Sequence, residues 1–259
     1  MKKPFYRVLV VVIGAFVTCL SCACLPIMGN GSMITSEKPV SPFESIHVSG
    51  SAIVNYHQSR EHRAVVTVDS NLDEYVRVYT QGGVLTIGTK KGSNCHFTQY
   101  MVDVYAPTLS GLSISGSANF DARDKITSQN FRLGISGSGK IKGAFECDDF
   151  AIRVSGSGDV NSHIVCNRFE IAVSGSGEIR PTGSCEDLDI TVSGSGTITA
   201  NEFEARNANI RVSGSGRIYV WVLDNLRANV SGSGRVRYRG NPKVDFGGSG
   251  SGRLESDGR

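Results

Sequence analysis

A Ser-Gly-Ser-Gly tetrapeptide or a close variant returns along the chain, its first serine at Ser115, Ser136, Ser155, Ser174, Ser193, Ser213, Ser231 and Ser249. The spacings are 21, 19, 19, 19, 20, 18 and 18 residues. A period of this length marks a solenoid or array, whose units bury apolar surface only against their neighbours. Glycine and serine alone would suit a flexible linker, but a linker carries no ordered apolar pattern between its copies. Here Phe131, Phe150, Phe169, Leu188, Ala208, Leu226 and Val244 stand five residues before the serine, and Leu133, Ile152, Ile171, Ile190, Ile210, Ala228 and Phe246 three before. Ile135, Val154, Val173, Val192, Val212 and Val230 stand one before it, and Ile141, Val160, Ile179, Ile198, Ile218, Val236 and Leu254 five after. All these offsets are odd, and alternate residues of an extended chain share a face. The pattern predicts an all-β, single-chain parallel β-solenoid with about 19 residues per coil.

The same parity puts both glycines of each motif inward and both serines outward, at a corner where only glycine fits. Two short strands per coil and about 4.8 Å between coils give a rod on the order of 30 Å long. Cys147, Cys166 and Cys185 lie nineteen apart and form one ladder, expected as buried thiols. In-register cysteines sit too far apart for a disulfide, and a linear stack does not converge on a metal. Cys95, in a Gly-Ser-Asn-Cys-His loop, is expected to be exposed.

Before the regular coils the pattern loosens. Strand-like runs cover Ala64 to Val68, Val84 to Thr89 and Tyr100 to Ala106, with a turn at Gly82-Gly83, a stop at Pro107 and a short helical turn near Leu72 to Tyr75. The expected domain spans residues 41–254, irregular coils over 41–110 capping regular ones over 111–254, followed by a tail over 255–259.

Lys2, Lys3 and Arg7 precede an apolar run from Val8 to Val17 and a small-residue segment ending in Cys22-Ala23-Cys24. This order is a secretory signal, and its apolar run is too short to cross a bilayer as a helix. Residues 1–23 are read as a lipoprotein-type signal peptide, with Cys24 as the lipidated residue, Cys22 as the alternative and simple secretion as the competing outcome. Residues 24–40 would then be a tether. The expected location is the cell envelope, with a membrane as partner through the N-terminal lipid.

Phe43-Glu44-Ser45-Ile46-His47-Val48-Ser49-Gly50-Ser51, Asn71-Leu72-Asp73-Glu74-Tyr75, Gly83-Val84-Leu85-Thr86-Ile87 and Leu112-Ser113-Ile114-Ser115-Gly116-Ser117 together resemble the head GIN domain of auto-transporter adhesins, over roughly residues 40–240. The resemblance implies a bacterial envelope protein, often a lipoprotein, built on a parallel β-solenoid. It implies adhesion by name and supplies no catalytic residues.

No catalytic constellation is apparent, and neither a cofactor nor a metal is expected. Parallel β-helices include polysaccharide-active, pectinase-like enzymes, whose sites need clustered carboxylates. The acids here (Asp148, Asp149, Glu186, Asp187, Asp189) read as a solvated face. His47, His57, His62, His96 and His163 lack metal-ligand spacing, and the serines recur in every coil where an active site is needed once. A net charge of +3 argues against a nucleic-acid partner. The charge is uneven, however: Arg211, Arg217, Arg235, Arg237 and Arg239, near Tyr219 and Trp221, make the last coils basic. They are the candidate site for a polyanion such as an acidic glycan or lipid phosphate. The competing reading is charge that keeps an edge coil soluble. The sequence thus points to an adhesin-like envelope binding module, with a spacer lipoprotein as alternative.

Overall fold

The computed structural model describes residues 26–258. The signal segment, Cys22 and Cys24 lie outside the described residues. The chain winds into a parallel β-solenoid of about eight turns. Strands Lys140–Gly156, Asp159–Gly175, Glu178–Gly194, Thr197–Gly214 and Arg217–Gly232 stack in parallel. Each regular coil is thus one long bent strand, not the two short ones expected, because inter-coil hydrogen bonding carries on through most of the bends. The ladder pauses at Asn167, where Asn167 and Arg168 are both exposed between buried Cys166 and Phe169. This slip in alternation is a second corner.

The predicted columns fill the core. Phe131 and Phe150 stack with centroids 5.4 Å apart, and Phe150, Phe169 and Phe203 continue the row at 5.6 and 5.3 Å. Each fully buried aliphatic or phenyl group contributes about 1.5–3 kcal/mol. Cys166 and Cys185 are buried in this core and Cys147 partly so.

The two corner glycines serve different ends. Gly175 is half-buried with φ +134°, and a Cβ there would lie 2.5 Å from the carbonyl oxygen of Gly156 one coil back. The direction closed to a side chain is therefore along the rod and not inward, as parity suggested. Gly177 is the inward one: a Cβ would meet a Val154 methyl at 2.7 Å. The unequal repeat lengths are absorbed elsewhere. Register shifts fall between Ile179 and Gly183 and between Ala200 and Asn207, while the serine-glycine columns stay aligned.

The N-terminal end is sealed. One face of the rod is a twelve-strand ladder: Met33–Lys38, Arg63–Asp69, Tyr100–Ala106, Ile53–Gln58 and Asn119–Ala122, then the five long strands, Arg235–Arg239 and Arg253–Ser256. Its first two steps are antiparallel and the rest parallel. On the neighbouring face Val76–Gln81 turns back antiparallel to Val84–Thr89. The irregular region thus includes strands folded back over the coil end, not elongated coils alone. A 3₁₀ turn occupies Asp73–Tyr75.

The expected tether is corrected over its described part. Ile27–Met28 pairs with Cys95–His96, and Met33–Lys38 pairs with Arg63–Asp69. Asp69, fully buried, accepts hydrogen bonds from the backbone N–H groups of Gly31 and Thr98, both at 2.8 Å. Burial alone would raise its pKa, but these amides, with further donors from Thr98 and Gln99, hold the carboxyl below its usual range.

The C-terminal end is open. Strand Lys243–Gly250 pairs only with the coil before it, and all eight of its residues are exposed. Val244 and Phe246, members of otherwise buried columns, are 43% and 45% accessible because no coil among the described residues stacks on them. The predicted tail from residue 255 begins inside a strand, Arg253–Ser256. No described helix is long and apolar enough to cross a membrane.

Candidate functional site

Because the coils stay in register after the glycine corner, equal offsets become neighbours in space. Arg217, Arg235 and Arg253 stand opposite one another on three successive strands. Tyr219, Arg237 and Glu255 form the next outward column, and Trp221 is paired with Arg239 beyond it. The structure therefore gathers Arg217, Tyr219, Arg235, Arg237 and Arg239 on one face and adds Arg253. Arg211 does not join them. It precedes the corner, in register with Thr191 and Asn229, on the adjoining face.

Electrostatics divides the strip. Glu255 pairs with Arg237 at 3.0 Å and Arg235 at 3.6 Å, and this hydrogen-bonded carboxylate raises the Arg237 pKa. Arg239 lies 3.9 Å from the Trp221 ring centroid and Arg237 5.9 Å from that of Tyr219, both cation–π contacts. Arg217 and Arg253 have no side-chain partner among the described residues. Elsewhere on the rod charges mostly interleave: Arg206 lies between Glu186 and Asp224 at 3.3 and 3.1 Å, Arg227 meets Asp245 at 3.0 Å, and Arg153 meets Glu170 at 3.1 Å. In the arginine column itself, earlier coils carry Asp159 and Glu178, the latter answered by Arg180.

The acids read as a solvated face each meet a cation or amide from a neighbouring coil. Asp149 faces Arg168, Asp148 accepts from Asn167, and Asp187 and Asp189 accept from Asn207 and Asn209. The histidines are dispersed: His47 meets Ser113 at 2.7 Å, His57 meets Asp103 at 3.3 Å, and His62 donates to the Phe43 carbonyl at 3.0 Å. Among the described residues no three potential ligands converge on a metal position. Burial pushes the Cys147 and Cys166 thiols up to about 12 and Cys185 higher still, so these are poor nucleophiles.

A second feature went unnoticed in the sequence. Two residues before the serine the outward column runs His47, Ser113, Gly134, Arg153, Ala172 and Thr191, and its small members on either side of Arg153 leave a shallow groove of about 480 Å³ that extends to Ser193. The signal was present as a break in size along one outward column.

The chain matches the family described as "Putative auto-transporter adhesin, head GIN domain" over residues 42–163 and 142–242. No curated protein matches it. A crystal structure from Parabacteroides distasonis, described as "Putative lipid binding protein", superposes with a TM-score of 0.86 at 30% identity, over 89% of this chain and 99% of that one. A "putative adhesin" from Parabacteroides merdae superposes at 0.82 and 29% identity, over 89% and 98%. One from Bacteroides fragilis shares the fold at 0.69 and 20% identity, over 89% and 99%. The names point to adhesion or binding at the cell surface or envelope. With its repeats, its solenoid and this match spanning most of its length, the chain belongs to the head GIN domain family of auto-transporter adhesins.

Proposed function

We propose that this protein is a non-enzymatic binding module of the bacterial envelope, lipid-anchored at Cys24, that uses the arginine strip to hold an anionic partner. The observation that carries the reading is the stacking of Arg217, Arg235 and Arg253 in one ladder, where among the described residues only Arg235 has a carboxylate partner, Glu255. Like charges directly opposite on neighbouring strands repel, so an unliganded strip of this kind opposes folding. Edge protection explains Arg253 but not Arg217, whose strand is covered on both sides. An anion lying across the column replaces that repulsion with charge-assisted hydrogen bonds.

Anchoring fits the geometry. Cys24 precedes the first strand residue, Ile27, by three positions, a reach of about 10 Å. The chain enters at the sealed end, and the strip lies at the other end of the ladder, on the order of 50 Å away. A short link there leaves the strip free to face outward.

The test is binding of the protein to polygalacturonate and to anionic vesicles at low and physiological ionic strength. A comparison variant carries Arg217→Ser, Arg235→Ser and Arg253→Ser, its fold checked by circular dichroism. Parent binding should weaken with salt and fall at least about tenfold in the variant. Glu255→Gln, which frees Arg235 and Arg237, should bind more tightly than the parent. Parent and variant binding alike, or neither binding, overturns the strip. Vesicle binding that survives the triple variant but is lost in Ala172→Arg would move the site to the serine-face groove, in keeping with the name of the Parabacteroides distasonis relative.

A further inference from the structure

We infer that the strip takes a linear polyanion lying parallel to the rod axis, with one negative charge per monomer and about one monomer per coil: an acidic glycan such as a polyuronate or a regularly sulfated polysaccharide. The inference rests on the strip being an anion site and concerns what fits there.

Two routes cross the strip. Along the strand direction a chain would meet Arg235, Arg237 and Arg239, but Glu255 already bonds Arg237 and the Trp221 ring lies under Arg239. Along the axis it meets Arg217, Arg235 and Arg253; the outer two are unpartnered and the middle one is shared with Glu255 at the looser distance of 3.6 Å. The axial route offers the free cations.

Spacing then selects the ligand. Adjacent strands hold the Cβ atoms of the arginine column about 4.8 Å apart. That is close to the advance per sugar of an extended pyranose chain, so a chain whose glycosidic torsions turn successive carboxylates or sulfates to one side sets them opposite successive guanidiniums. Charges packed more tightly, as in inorganic polyphosphate, cannot match the column one to one. A planar anionic surface along this face would also meet Asp159 and the Glu178–Arg180 pair farther down, whereas a chain can stop at Thr197, the uncharged residue preceding Arg217 in the column. Tyr219 stands beside the column, with Thr199, too short to cover a ring, as its neighbour on the preceding coil. A sugar C–H face suits such a ring.

The experiment is calorimetric titration of the protein with oligogalacturonates of increasing length, sulfated oligosaccharides of matched length, inorganic polyphosphate and anionic vesicles. Affinity should climb steeply until the oligomer carries one charge per arginine of the column, then level off. Arg217→Ser and Arg253→Ser should each bring the plateau one sugar earlier, whereas Arg239→Ser should leave it in place. The carboxylated and sulfated arms decide between those two sources. Affinity independent of length, or equal binding of polyphosphate or vesicles with the same arginine dependence, overturns this inference while leaving the strip as an anion site. Absence of binding by every anion removes the strip itself.

Discussion

The regular coils and the sealed end reach stability by opposite means. Between Lys140 and Gly232 most ladder contacts have copies on the neighbouring coils, so the fold is specified redundantly by columns. At the sealed end single residues do unrepeated work: Asp69 ties residues 31 and 98 together, and the Tyr100 hydroxyl donates to the Gly88 carbonyl at 2.9 Å. A repeat tolerates variation in any one column, except where backbone meets backbone, while a cap has no second copy of anything.

The largest expected effect lies at that exception. Gly175→Val sets a side chain against the Gly156 carbonyl at a backbone angle open only to glycine, and should cost more than about 4 kcal/mol in denaturant unfolding. Gly82→Asn, in a hairpin with φ +57° and open space around it, should cost about 1 kcal/mol or less. Equal costs would show that the corner relaxes and is not closed by stacking.

Next comes burial against position along the rod. Phe150→Ala should lose about 3–5 kcal/mol, while Phe246→Ala, one of the exposed residues of the open end, should lose about 1 kcal/mol or less. A large loss at Phe246 would mean that the open end is covered in solution.

The smallest and most local effect is at Asp69. Its folded pKa is lowered, so its contribution is fully present above the ordinary aspartate range and disappears as pH falls through the folded value. Asp69→Asn should remove that part of the acid sensitivity. Hydrogen-exchange protection of Met33–Lys38 should drop while Asp159–Gly194 keeps its own. Uniform loss of protection would join cap and coils into one cooperative unit and erase the distinction drawn above.

What could be read in the sequence follows the same division. The apolar columns, the thiol ladder and the strands around Val84–Thr89 and Tyr100–Ala106 were legible because local alternation and a repeated offset carry them. Met33–Lys38 was not: its sequence, MITSEK, has little alternation, and its strand character comes from pairing with Arg63–Asp69 some thirty residues on. The corner at Asn167 was visible only as the three-residue step from Cys166 to Phe169 between two inward residues. At the strip, Arg217, Arg235 and Arg253 all stand four residues after a first serine, an offset that places them together, whereas Arg211 stands two residues before one and so falls apart from them. The pairing of Glu255 with two of the arginines joins columns, since Glu255 shares one with Arg237 and reaches Arg235 in the next.

The register shifts have a wider meaning. Coils of 18 to 21 residues coexist here, yet every Ser-Gly rung is aligned, because the misfit is taken up between Asp121 and Ile126, between Ile179 and Gly183 and between Ala200 and Asn207. One side of each turn therefore acts as slack and the other as a ruler. Insertions and deletions can accumulate on the slack side without changing the spacing on the ruled side, so coil length is free to drift while the pitch seen by anything lying along the arginine column is conserved.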